Sequence, residues 1–224
     1  MIDIRAYMRE LVGTLKTVFE NRLLYVGLQG SYLRAEATEK SDIDVMVVID
    51  EMKPNDLKEY KKVLKEIGNY DKSCGFICGS KELLNWNPQE ICHLLNTTAD
   101  YYGTLEDFVP KYNRMDIADY IKLSTGNLYH MLCHRYVYDD IEKNKMKLPL
   151  IYKDIFYILQ NVYYLENGEK KKAKESFDFV LKTAGKHSLL GEQIDNNTLK
   201  PNWVIGLGWS HAMFIIVLEK MMNM

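Results

Sequence analysis

Two carboxylates separated by a single residue stand at the start of an apolar run. Asp42 and Asp44 flank Ile43, and residues 45–49 that follow are all apolar. Successive side chains of a strand point to opposite faces, so both carboxylates are predicted to share one face while Ile43 turns into the core. Mg²⁺ takes oxygen ligands, usually one or two carboxylates together with phosphate oxygens. We therefore predict a magnesium site with two ions, the arrangement that serves in-line displacement at phosphorus.

A turn of small residues comes before this strand and complements it. Gly30 and Ser31 follow an apolar run over residues 23–28, which predicts a first strand. Glycine lets the backbone approach phosphate oxygens closely, and Ser31 adds a hydroxyl where a helix begins, whose free N–H groups favour an anion. We predict that this turn binds a triphosphate.

Taken together, these residues resemble the signature of a known family. The Gly30-Ser31 pair, Arg34 three residues after the serine, and the segment 41–44 entering an apolar strand are similar to the motif of the nucleotidyltransferase superfamily, the fold of DNA polymerase beta. Weaker likenesses to kanamycin-type and lincosamide-type antibiotic enzymes occur over residues 99–106, 132–135 and 168–177. At Ala35 the chain departs from the pattern, because the family often has glycine there.

The resemblance implies roles for particular residues and a reaction. Asp42 and Asp44 would be the catalytic metal ligands, and the nucleotide-binding residues would be Gly30, Ser31, Arg34 and Ser41. The implied enzyme transfers a nucleoside monophosphate from a Mg²⁺-bound triphosphate, for which we expect ATP, to a hydroxyl of a small-molecule acceptor, releasing pyrophosphate. The alternative is a nucleotide-binding regulator or antitoxin-like protein with little or no turnover.

The third predicted strand lacks the carboxylate that would complete this site. Enzymes with this signature usually carry another acid on the neighbouring strand, which here is predicted over 73–79 and contains none; Gly75 stands about where the acid is expected. Glu82 after the strand and Asp71 before it are the nearest acids. We take Glu82 as the first candidate for the general base, which must approach the acceptor hydroxyl to within about 3 Å.

Composition narrows the class of protein and the class of acceptor. The 224 residues are 47% apolar and 27% charged, which is typical of a globular protein. A net charge of −2 provides no basic surface of the kind that nucleic-acid binders use, so a small molecule or a protein is the expected acceptor. The four cysteines lack zinc-site spacing, and residues 1–5 lack the pattern of a signal peptide. We expect a cytoplasmic protein that binds neither nucleic acid nor membrane.

The order of apolar patterns predicts an α+β fold with two domains. The first domain, residues 1–109, would be the nucleotidyltransferase domain, a small mixed sheet backed by helices. Its predicted elements are a helix over 2–20, the two strands above, a helix opening at Pro54, a strand over 73–79 and a strand at 101–102. Helices are predicted over 113–138, 149–166, 169–183 and 201–223, with Pro149 and Pro201 as boundaries. These would form an all-helical bundle domain, 110–224. Its broad apolar stripes predict a homodimer formed through this domain.

Overall fold

The computed structural model describes residues 2–171 and 175. Apart from residues 169–171 and Glu175, the helices predicted over 169–183 and 201–223 lie outside this range. The chain divides into two compact units, Met1–Ile117 and Ala118–Met224.

Four strands form one mixed sheet in the first unit. They are β1 (Leu23–Leu28), β2 (Ile43–Ile49), β3 (Ser73–Gly79) and β4 (Ala99–Tyr102), in the spatial order β3-β2-β1-β4. Strand β1 is antiparallel to β2 and β4, whereas β2 and β3 run parallel. The predicted mixed sheet within an α+β fold is confirmed.

Five α-helices lie wholly within the described residues of the same unit, and both faces of the sheet bury apolar side chains. The helices are α1 (Ile4–Phe19), α2 (Gly30–Leu33), α3 (Pro54–Glu66), α4 (Ser80–Leu84) and α5 (Pro88–Asn96). One core contains the Ile43, Val45 and Val47 face of β2, together with side chains of α1 and α3. The other contains Met46 and Val48 together with side chains of α4 and α5. Because β2 is buried on both faces beyond its second residue, its polar start is held at one end of a rigid strand.

Asp56 at the start of α3 joins this helix to the sheet. Its carboxylate accepts two hydrogen bonds of 2.9 Å from the Arg22 guanidinium and one of 2.8 Å from the Lys53 N–H. Arg22 also donates to Asp50 at 2.9 Å. Hydrogen bonds to charged groups are stronger than neutral ones, so this group of residues fixes the far end of β2.

Two longer helices follow, α6 (Arg114–Tyr138) and α7 (Ile141–Asn167). The prediction that a helix begins at Pro149 is wrong, because α7 starts eight residues earlier and continues through this proline. The helix start is set instead by Asp140, whose side chain accepts from the Lys143 N–H at 2.8 Å, and its end by Gly168 in the left-handed region. An interior proline costs about 3 kcal/mol, so the rest of the helix must outweigh it.

No helix in the described part of the chain combines the length and apolarity needed to cross a bilayer.

Candidate active site

Asp42 and Asp44 lie together at the start of β2, where the strand leaves the core. Asp42 is exposed and directly precedes the strand, and Asp44 is half-buried as its second residue. Ile43 between them is fully buried. Alternation along the strand therefore places both carboxylates on one face, opposite to the side chain of Ile43.

Gly30 brings the turn after β1 directly against Asp44. Its φ is +69°, and a Cβ built at this position would overlap the Asp44 carboxylate. The adjacent Gln29 N–H donates to the Asp44 carbonyl at 2.8 Å, which ties the turn to the strand. Only glycine fits here, because both the backbone conformation and the space exclude a side chain. The turn and the acidic strand end thus form one structural unit.

The chain after Gly30 folds back on itself. The Glu36 N–H donates to the Ser31 carbonyl at 2.9 Å, and Arg34 Nε donates to the Glu36 carboxylate at 2.8 Å. Ala35 has a φ of +58°, in the left-handed region that favours glycine. The departure noted in the sequence is therefore a real one, and it leaves Ala35 strained by about 1–2 kcal/mol.

Ser41 organises the loop that leads into β2. Its hydroxyl accepts from the Thr38 N–H at 2.8 Å, and its own N–H donates to the Thr38 carbonyl at 3.1 Å. These bonds close a tight loop just ahead of Asp42. Ser41 thus helps to position Asp42 through these loop hydrogen bonds, apart from any contact that Ser41 itself would make with a ligand.

Cys74 occupies the place on β3 where sequence reasoning put Gly75. In the parallel pairing, Cys74 stands opposite Asp44, whereas Gly75 stands opposite the core residue Val45. Neighbours in register share a face of the sheet, so the thiol lies beside the two carboxylates. The sequence carried no signal for this offset of one residue, because the register follows from strand pairing.

The electrostatics of Cys74 reflect its neighbours. The Gly75 N–H lowers the pKa of the Cys74 thiol, but partial desolvation, a hydrogen-bonding interaction with Asp44 and the negative charges of Asp44 and Asp42 outweigh that effect. The pKa of the thiol consequently lies above its ordinary value. The thiol and both carboxylates belong to one electrostatic group.

Glu82 does not join this group. It lies in α4, and its carboxylate lies against Gly79 at the end of β3, where Gly79 pairs with Ile49. Ile49 lies five positions after Asp44 along β2, about 17 Å at the usual rise of a strand. A general base must come within hydrogen-bonding reach of the reacting hydroxyl, so this position does not support the role expected for Glu82. Asp71, in the short helical turn before β3, is exposed and lies at the same end as Asp42.

The chemistry of the donor set bears on the expected metal. Neither Asp42 nor Asp44 forms a salt bridge within residues 2–171. Across the same residues no group of three or more His, Cys, Asp or Glu side chains is already gathered as a metal site. Two carboxylates that form no salt bridge among the described residues nevertheless fit Mg²⁺, which needs no more than that from protein when phosphates supply further ligands.

Comparisons with known proteins agree with this geometry. The profile of the family described as nucleotidyltransferase domain matches residues 8–77, which include the turn, both carboxylates and most of β3. A putative protein adenylyltransferase of Methanocaldococcus jannaschii is 33% identical over 69 residues, which are 31% of this chain and 68% of that protein.

Solved structures extend the likeness in fold. A spectinomycin adenyltransferase from Enterococcus faecialis, solved with ATP and spectinomycin, superposes with a TM-score of 0.53 at 15% identity over 96% of this chain and 98% of its own. A toxin–antitoxin structure with AMP-PNP reaches a TM-score of only 0.33, which is too low to support a conclusion. The family profile, the curated relative and the arrangement of Gly30 against Asp44 lead to one assignment: this chain belongs to the nucleotidyltransferase superfamily.

Proposed function

We propose that this protein is a Mg²⁺-dependent nucleotidyltransferase that transfers AMP from ATP to a hydroxyl of a small-molecule acceptor, with release of pyrophosphate. The observation that carries the proposal is the packing of Gly30 against Asp44. This contact joins a turn suited to phosphate and a carboxylate suited to a hard cation in one rigid unit.

Each residue of this unit has a separate role in the proposed reaction. Asp42 and Asp44 would hold the metal, which when bound supplies charge neutralisation at the phosphates and at the attacking and leaving oxygens. Gly30 allows the backbone to approach the triphosphate. The Ser31 hydroxyl makes no hydrogen bond to other described residues, so it is available to a phosphate oxygen. Arg34 and Ser41 form hydrogen bonds that shape the loop between the Gly30-Ser31 turn and Asp42.

The identity of the nucleotide and of the acceptor rests on different grounds. ATP is favoured because the relatives are an adenylyltransferase and an adenyltransferase solved with ATP. A small molecule is favoured as the acceptor because of the net charge of −2 and because spectinomycin is bound in the structure that this chain resembles over both units. A protein acceptor is the competing case, since the curated relative is described as a protein adenylyltransferase. We also propose a homodimer formed through the helical unit.

One observation favours a second function, a nucleotide-binding regulator with little or no turnover. Cys74 stands where a third acid would lie beside Asp44, and a thiol with a raised pKa is a poor general base at neutral pH. Of the two acids considered as its replacement, only Asp71 lies at the correct end of the sheet. Slow turnover with intact nucleotide binding would identify this case.

The test is the double substitution Asp42→Asn and Asp44→Asn. It should abolish Mg²⁺-dependent ATP binding in calorimetry while leaving the fold intact by circular dichroism. The matched control is Glu106→Gln with Asp107→Asn, which removes the same charge from exposed positions outside the site and should leave binding unchanged. Equal ATP affinity in both double variants would refute the proposal. Pyrophosphate release and product mass, measured with small-molecule and protein acceptor panels, then distinguish the acceptor classes.

A further inference from the structure

Asp100 on β4 shares a face and an end of the sheet with Asp44. It pairs with Gly27 of β1, and Gly27 in turn pairs with Met46, which lies two residues after Asp44 on β2. Paired residues project from the same face, and facing along a strand has a period of two, so Asp100 and Asp44 lie on one face. Strand β4 begins one residue before Asp100, opposite the last residue of β1, so both carboxylates also lie at the end where β1 leaves the sheet.

Strand β1 separates Asp44 from Asp100 and leads into the Gly30-Ser31 turn. The spatial order is β3-β2-β1-β4, so a triphosphate bound at this turn would have Asp44 on one side and Asp100 on the other. Gln29, directly before the turn, donates from Nε2 to Thr98 Oγ1 at 2.8 Å, which ties the turn to the start of β4. The turn and the strands on both sides of it therefore form one framework.

The separation of the two carboxylates leaves room for the reacting groups. Two strand spacings and two residues along a strand place the Cα atoms of Asp44 and Asp100 about 12 Å apart. A metal–oxygen bond of about 2.1 Å, an approach of about 3–3.5 Å by the attacking oxygen and a hydrogen bond of about 2.6–3.2 Å must fit between the carboxylate that holds the ion and the base. Asp100 stands at the distance that such an arrangement needs.

Tyr25 holds the Asp100 carboxylate in place. The Tyr25 side chain is fully buried, and its hydroxyl donates to Asp100 Oδ1 at 2.7 Å. Gly27 leaves the space for this contact, because a Cβ built there would overlap the Tyr25 hydroxyl. Burial, followed by the hydrogen bond to Asp100 and its negative charge, raises the pKa of the Tyr25 phenol, so the phenol remains the donor. Asp100 itself is exposed, and its second oxygen accepts no hydrogen bond from the residues that the structure describes.

We infer that Asp100 is the general base of the transfer and that Tyr25 is its positioning residue. The second oxygen of Asp100 takes the proton of the acceptor hydroxyl while the hydroxyl oxygen bonds to the α-phosphorus and the bond to the leaving pyrophosphate breaks. The proton then passes to solvent. Asp71 lies at the same end of the sheet, but within the described part of the chain no hydrogen bond fixes its carboxylate. This inference rests on the proposed AMP transfer and supplies the base that β3 lacks.

The experiment compares Asp100→Ala and Tyr25→Phe with the control Asp107→Ala, which removes another exposed aspartate of the same unit. Pyrophosphate release is measured with an acceptor from the panel or, without one, with water as the acceptor of AMP. Asp100→Ala should lower kcat at least about 100-fold, while its MgATP affinity in calorimetry changes by less than about twofold. Asp107→Ala should match the wild type in both measurements.

Formate provides a readout that a purely structural role would not move. Added to Asp100→Ala, it supplies a carboxylate where the side chain was removed and should restore part of the rate. Tyr25→Phe should lower kcat by a smaller factor without a change in MgATP affinity, and formate should not restore its rate. Asp100→Asn, which keeps the size of the side chain, should lower kcat as Asp100→Ala does and replaces it if circular dichroism shows that the alanine variant is unfolded.

The inference is overturned if Asp100→Ala keeps the kcat of Asp107→Ala, loses MgATP affinity together with its rate, or does not respond to formate. These outcomes are distinct from failure of the proposed function. A wild type that transfers AMP at a rate that Asp100→Ala leaves unchanged retains the function and loses only the assigned base. A wild type that releases no pyrophosphate, with any acceptor or with water, refutes the reaction and the base together.

Discussion

The contact between Gly30 and Asp44 leads to a prediction that separates backbone strain from damage to the site. Gly30→Ala introduces a side chain at a φ of +69°, and Gly68→Ala does so at a φ of +82°. A residue other than glycine in the left-handed region costs about 1–2 kcal/mol. For a chain of this size each 1 kcal/mol lowers the melting temperature by about 2–4 °C, so both variants should melt about 2–8 °C below the wild type.

The two positions differ in what the new methyl group meets. At Gly68 no atom lies within 4 Å of it, whereas at Gly30 it overlaps the Asp44 carboxylate. Because Asp44 lies on a buried strand that cannot shift easily, its carboxylate must move by about 1 Å or more to restore van der Waals contact. A misplacement of this size costs about 100-fold in rate when the displaced group acts at the reacting centre.

The assays are thermal unfolding, calorimetry with MgATP, and pyrophosphate release once an acceptor is known. Gly30→Ala should lose most of its MgATP affinity and about 100-fold in kcat/KM, while Gly68→Ala should lose stability alone. If Gly30→Ala binds MgATP as tightly as Gly68→Ala does, the turn does not control the position of Asp44 and our reading of the site is refuted.

Four further predictions concern other parts of the first unit. Glu82→Gln should leave turnover within about twofold of the wild type, and a 100-fold loss would restore Glu82 as the candidate base. Asp56→Ala should lower the free energy of unfolding by about 2–3 kcal/mol, measured by urea denaturation, because it removes hydrogen bonds to the Arg22 guanidinium. The Arg22 hydrogen bonds lower the pKa of Asp56 most, followed by the Lys53 N–H and the positive charges of Arg22 and Lys53, against the effect of burial. The stabilisation that this carboxylate provides is therefore present above about pH 4 and is lost as the pH falls through its lowered pKa. Asp56→Asn should make the free energy of unfolding depend less on pH in this acidic range. Ala35→Gly should raise the free energy of unfolding by about 0.5–1 kcal/mol, since relief of the left-handed strain exceeds the added freedom of the unfolded chain, and a lower melting temperature would contradict this.

Local sequence patterns were sufficient for the strands and for the pair of acids. Alternation places Asp42 and Asp44 on one face of any strand that buries Ile43, and the apolar residues 45–49 leave little choice about that strand. The helix that begins at Pro54 was also predictable from local sequence, because proline at the first position of a helix is a local signal. Pro149 shows the limit of such signals, since α7 begins at Ile141 and continues through this proline.

The sequence by itself determined which groups could do chemistry: two carboxylates one residue apart, a Gly-Ser turn, and no acid in the third strand. Only the tertiary structure decided which of the remaining groups stand beside them. The parallel pairing of β2 with β3 sets Cys74, rather than Gly75, opposite Asp44, and it places Glu82 at the far end of the sheet. The physical reason is that side-chain facing has a period of two along a strand, whereas the register between strands is set by contacts distant in sequence, which no local pattern encodes.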